Sequence, residues 1–240
     1  MATYKELVYM ALDELKLTSD DSHFKEEHII FLLDKYRAFL LKQRYTDIKK
    51  EIPESNYQTI CLDLKKTEGI EGDPCSSTYL KSVQEVPDML TIAQPKVSSL
   101  DYFGGDITYT NRDRFKYAGC NKYLKNIIYS TIAPDNHLYI KGKNPQTYYM
   151  EKVRVTGIFE DSAKASELSC DEEDKACDIL DRKFPIEEGL VTPLLELIVK
   201  ELTGYKYQPK DQENNANDDL SRLATYLSRN LKKGWQRDDS

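Results

Sequence analysis

No apolar run in the chain is long enough to cross a membrane. The longest, Ile29-Ile30-Phe31-Leu32-Leu33, falls far short of the about 20 residues a spanning helix needs. A secretory signal is missing too, because Lys5 and Glu6 are followed at once by a mixed, amphipathic pattern. Positive charge is not in excess: 34 basic against 41 acidic side chains leave a net charge of −7 over 240 residues. That balance excludes a protein that holds nucleic acid mainly by neutralising phosphates. What remains is a soluble intracellular protein or an assembly component.

Catalytic patterns are equally scarce. Gly-x-Ser-x-Gly, Gly-x-x-x-x-Gly-Lys-Ser/Thr, Gly-x-Gly-x-x-Gly and His-Glu-x-x-His do not occur. There are three histidines, His23, His28 and His137. A base for a cysteine nucleophile would have to be one of these, and His137 adjoins a predicted turn, which favours exposure over catalysis. Five cysteines, Cys61, Cys75, Cys120, Cys170 and Cys177, are odd in number and irregular in spacing. With no Cys-x-x-Cys pair and no nearby histidine, they read as reduced thiols rather than a disulfide framework or a zinc site. The acidic run Asp171-Glu172-Glu173-Asp174 follows the capping box Ser169-x-x-Glu172. Carboxylates suit a first helical turn, and no glycine-punctuated calcium loop surrounds them. The expectation is no catalytic residue, no cofactor and no metal: a non-enzyme.

Tyrosine is what the chain has in abundance, 17 against 7 Phe and 1 Trp. A large apolar ring with a hydroxyl suits half-wet protein interfaces, and aromatic residues also favour strands; composition leaves both open. The chain opens with a capping box, Thr3-x-x-Glu6, and then Leu7, Ala11 and Leu15 on one helical face. From about Phe24 to Tyr45, Ile29, Leu33, Tyr36 and Leu40 form a second stripe, which Phe31, Leu32 and Phe39 widen beyond one face. Such a helical pair must bury its stripes on a neighbouring subunit or on the rest of the chain.

After Pro53 the period changes to two, with Ile60, Leu62 and Leu64 alternating against polar neighbours. Segment 68–106, rich in Gly, Pro and Ser, reads as long loops with short strands. Tyr123 to Ile132 and His137 to Lys141 form a hairpin about Pro134-Asp135-Asn136, and Tyr148 to Phe159 supplies a further strand. A third helix spans about Glu188 to Leu202. The fold class is therefore α+β. An N-terminal helical pair and C-terminal helices pack with a central small antiparallel β domain, the helical part being 1–52 with 162–204 and the β-rich part 53–161.

Beyond Tyr205 comes a polar tract, Gln212 to Asp219, too poor in apolar residues to build a core. Leu220, Leu223, Leu227, Leu231 and Trp235 then restore a helical stripe. Residues 205–240 read as a docking arm, or as a helix folded back on its own domain. The candidate interface residues are Phe31 and Phe39 in the second helix and Leu223, Leu227, Leu231 and Trp235 in the arm.

The order of elements resembles the head–tail connector (adaptor or ring) proteins of short-tailed bacteriophages, and more narrowly those of crAss-like phages. The resemblance lies in His28-Ile29-Ile30-Phe31-Leu32-Leu33-Asp34-Lys35-Tyr36-Arg37, in His137-Leu138-Tyr139-Ile140 with Val153 to Asp161, and in Phe184-Pro185-Ile186-Glu187 leading into the third helix. It implies a structural virion protein of the neck or tail, assembled in the host cytoplasm. Its partners would be further copies of itself in a ring, dodecameric to match the portal, with the portal protein and other tail or ring proteins. Genomic DNA would pass through the channel without sequence-specific binding, and no membrane is involved. The competing reading is a soluble non-enzymatic binding module that docks through its C-terminal helix.

Overall fold

The computed structural model describes residues 2–18, 24–46, 50–67, 78–100, 106–124, 126–143, 145–170 and 178–204. Helix α1 (Tyr4–Thr18) starts on the expected capping box: the Thr3 amide donates to Glu6 Oε2 at 2.9 Å and the Glu6 amide to Thr3 Oγ1 at 3.3 Å. Two otherwise orphaned N–H groups are thereby satisfied. Tyr4, Leu7, Val8, Ala11 and Leu15 are all buried, one stripe of an amphipathic helix. Helix α2 (Glu26–Tyr45) buries Ile29, Leu32, Leu33, Leu40 and Leu41.

Seven strands follow: β1 (Gln58–Thr67), β2 (Thr78–Ser82), β3 (Lys96–Ser99), β4 (Asp106–Tyr109), β5 (Tyr129–Ile132), β6 (Leu138–Gly142) and β7 (Lys152–Gly157). They close into a barrel in the order β1-β2-β6-β5-β4-β3-β7. This corrects the expected small antiparallel β domain packed with helices. Two short strands in and at the end of the stretch that reads as long loops with short strands, β3 and β4, bridge β7 to β5 and complete the ring. Seven strands cannot alternate in direction all the way round a closed ring, so one neighbouring pair must run parallel. That pair is β4–β5. A parallel pair needs a crossover of about a dozen residues or more, and residues 110–128 supply it, with the short helix α3 (Arg112–Phe115) inside.

Alternation fills the barrel. Ile60 and Leu62 of β1 face Val155 and Val153 of β7 in register, and Leu80, Val97, Ile107, Leu138 and Ile140 complete the same buried cluster. The hairpin is present as β5–β6, with Ile132 opposite Leu138 and Asn136 at a φ of 53°, a left-handed position that asparagine tolerates in turns. Strand β7 is shorter than expected because helix α4 (Pro145–Tyr148) occupies the start of that stretch. Helix α5 (Ser162–Glu167) follows β7, capped by Asp161, whose carboxylate accepts from the Lys164 amide at 2.9 Å. Helix α6 (Val191–Leu202) buries Leu194, Leu195 and Ile198 and carries Pro193 in its first turn, where a missing N–H costs nothing.

One buried side chain of α2 reaches both the barrel and the segment before α6. Arg37 of α2 is fully buried and donates from Nε to the Pro185 carbonyl (2.6 Å), from Nη1 to Phe159 (2.7 Å) and from Nη2 to Asn56 (3.2 Å). Three segments distant in sequence are thus tied to α2. Replacing Arg37 with Met keeps the volume but leaves three buried carbonyls unpaired, so we expect a loss of about 3–5 kcal/mol in urea unfolding. A loss below about 1 kcal/mol would show that the three bonds are dispensable.

The thiol expectation is also corrected. Cys61 of β1 and Cys170 are disulfide-bonded, and Cys120 is in a disulfide as well. Sequence spacing said nothing of this, because the barrel wall brings Cys170 to β1: the Cys61 amide donates to the Leu168 carbonyl and Ile60 bridges Ser169. Closing a loop of 109 residues restricts the unfolded chain by an amount worth about 5 kcal/mol in the entropic model. Alkylation of the unreduced, denatured chain should leave Cys61 and Cys170 unlabelled, and reductant should lower the unfolding midpoint. Full labelling without reductant would refute the bond.

Candidate interface groove

One face of α2 is left open by the packing. Phe31 is 63 % and Phe39 53 % exposed, although both rings would be worth about 2 kcal/mol or more if covered. They line a groove of about 940 Å³ whose second wall is formed by α5 and the loop 84–88. The loop is fastened rather than free. Its Val86 amide donates to the Asn136 carbonyl at 2.6 Å, the Glu160 amide donates to the Asp88 carbonyl at 2.8 Å, and Val86 and Leu90 are buried. Gly157 allows Met89 to lie against β7, since any Cβ there would collide with the Met89 methyl group.

The two helical walls are held together at the bottom. Tyr4 O–H donates to Ser162 Oγ at 2.5 Å, and Ser162 Oγ in turn donates to the Asp34 carboxylate. Burial pushes Asp34 up to about 6, against the pull of the Ser162 hydroxyl and the Arg37 charge. Burial likewise lowers Arg37, to about 10, which leaves it charged at neutral pH. Burial also raises the Tyr4 phenol, with the Asp34 charge acting in the same direction, so Tyr4 stays a donor.

The rim is acidic. Seven carboxylates line the groove against three lysines, Lys35, Lys42 and Lys164. Lys42 is engaged by Glu160 at 2.7 Å and Lys164 by Asp161 at 3.4 Å. Glu27, Glu85 and Glu167 carry no ion pair among the described residues. An apolar floor with an acid rim has the make-up of a docking surface for a basic amphipathic segment.

Among the described residues, no group of three or more His, Cys, Asp or Glu side chains could hold a metal ion, and the run Asp171 to Asp174 lies outside them. His28 is exposed on α2, and His137 Nδ1 lies 3.3 Å from Ser82 Oγ, beside the turn where its sequence position puts it. No described helix is long and apolar enough to cross a membrane. The tyrosines divide: Tyr4 and Tyr79 are buried, whereas Tyr117, Tyr123, Tyr148 and Tyr149 are exposed.

Comparison with known sequences is decisive for the family. The model of a family described as phage tail ring protein 2 matches residues 6–220. The chain belongs to that family. It is also 56 % identical over 220 residues to Ring protein 2 of Bacteroides phage crAss001, covering 91 % of this chain and 98 % of the relative. The resemblance to crAss-like phage ring proteins is therefore established, and with it a structural rather than enzymatic family.

For this ring protein the structure brings Phe31 and Phe39 together in one groove, one helical face apart from the buried stripe. Leu223, Leu227, Leu231 and Trp235 lie outside the described residues, as does all of 205–240. The opposite wall is missing from the sequence-based candidates. Its residues, among them Pro87 and Ala163, carry no exposed aromatic to mark them, and only the barrel brings loop 84–88 to α2.

The Asp34 position yields a pH test. A carboxyl whose folded value is raised binds its proton more tightly when folded. Its stabilising contribution is complete below about pH 4 and is lost as the pH rises through 6. Relative to Asp34→Asn, the natural chain should lose on the order of 2 kcal/mol of unfolding free energy between pH 4 and 7.5. Parallel pH profiles for the two proteins would refute a raised Asp34.

Proposed function

We propose that this chain is a structural virion protein that forms a head-to-tail connector or adaptor ring between portal and tail and surrounds the DNA conduit. The observation that carries the reading is the identity to a relative named Ring protein 2 across nearly its whole length. The ring is built from copies of this chain, in twelvefold register with the portal, and it meets the portal and further tail or ring proteins. The helical part, 1–52 with 162–204, packs between neighbours, and the barrel within 53–161 projects from it. The net charge of −7 suits a conduit wall that repels DNA phosphates, so that DNA passes without specific binding. Assembly takes place in the host cytoplasm and the finished ring sits in the virion neck or tail.

The exposed Phe31 and Phe39 support an intersubunit role for α2. Phe31→Asp and Phe39→Asp should each leave the circular dichroism spectrum unchanged, since neither ring is in the core. Each should reduce incorporation into particles at least tenfold, read by quantitative mass spectrometry of purified virions. Normal incorporation of folded variants would remove α2 from the interface. Cryo-electron microscopy of the particle tests the wider reading: a twelvefold ring of this chain next to the portal supports it, and a position elsewhere refutes it.

A further inference from the structure

We propose that the groove between α2 and α5 seats residues 220–237 of the neighbouring copy, so that each subunit straps itself to the next. The inference rests on the ring reading, which supplies that neighbour.

Three observations support it. First, the lengths agree. The groove-lining face of α2 runs from Glu27 to Lys42, a rise of about 22 Å at 1.5 Å per residue. The stripe from Leu220 to Trp235 would have the same rise as a helix. Second, the chemistry agrees. Residues 220–237 hold Arg222, Arg229, Lys232, Lys233 and Arg237 and no acidic residue. The groove offers Ile30, Phe31 and Phe39 as apolar contacts and Glu27, Glu85 and Glu167 as unpaired acids at the rim. A chain with a net charge of −7 thus carries a purely basic stripe and an acid-rimmed groove that complements it. Third, residues 205–219 span up to about 50 Å when extended, more than twice the length of the groove.

A donated segment and a receiving groove on different parts of one chain make a heterologous contact, the kind that closes rings. The family match ends at residue 220, where the basic stripe begins.

Zero-length carbodiimide cross-linking of the full-length chain in intact particles tests this, because it joins lysines only to carboxylates in direct contact. Cross-linked peptides joining Lys232 or Lys233 to Glu27, Glu85 or Glu167, recovered from the dimer band of a denaturing gel, support the proposal. The same peptides confined to the monomer band would mean that the segment occupies its own groove, and would overturn it. Tail lysines joined to other proteins, or not joined at all, would overturn it as well. In the double variant Leu227→Asp, Leu231→Asp the cross-links should fall to background and incorporation should fall as it does for Phe31→Asp. If the chain forms no ring, the ring reading fails; if rings persist without these cross-links in the natural chain, only the strap fails.

Discussion

A guanidinium with no access to water must be satisfied by the chain around it, and Arg37 meets that demand with backbone carbonyls. Its three acceptors belong to the turn before β1, the exit of β7 and the approach to α6. Each sits at a junction where the chain passes between barrel and helices. Asp34, one turn earlier on α2, supplies the nearby negative charge, and its hold on Ser162 draws the start of α5 towards the same helix. Desolvating the charge costs several kcal/mol, which good geometry and full pairing must offset. In return the rotation of α2 is fixed. With Arg37 inward, Phe31 and Phe39 face the groove.

The barrel obeys a different constraint. Parity forces one parallel contact into a seven-stranded closed ring, and β4 and β5 register only at Thr108–Tyr129 and Tyr109–Ser130. The crossover between them carries α3, whose Phe115 packs edge-on against Tyr79 with ring centroids 6.2 Å apart. Outside the barrel, Tyr79, Phe115 and Tyr129 form a second, smaller cluster. The parallel closure therefore has its own apolar support, separate from the barrel interior.

What the sequence made legible was local. The capping box at Thr3 and Glu6, the α1 stripe, the α5–α6 side of the chain only in its last helix, and the β5–β6 hairpin all depend on residues a few positions apart. Phe31 and Phe39 were legible as lying off the main stripe, but so was Leu32, which is buried, so their exposure became clear only in the fold. Barrel closure was not legible. Strands β3 and β4 span only Lys96–Ser99 and Asp106–Tyr109, too short for alternation to register, and Pro95 and Gly104-Gly105 mark the region as loop. The pairing of Cys61 with Cys170 and the burial of Arg37 were invisible for the same reason, since each depends on the finished barrel. An arginine in the middle of an amphipathic helix ordinarily lies in solvent; here three carbonyls from remote segments reverse that preference.

The make-up of the groove bears on how a ring component survives before assembly. Two exposed phenylalanines on one helix invite nonspecific association. The carboxylates around them oppose it, because a second copy approaching through the same face would bring like charges together and strip their water. A basic segment meets no such barrier. In the proposed strap, the same rim that would keep identical faces apart favours a partner of opposite charge, and the apolar floor would supply the larger share of the contact energy once water is excluded. In such a contact repulsion would set the specificity and burial the strength, and the groove carries both kinds of residue.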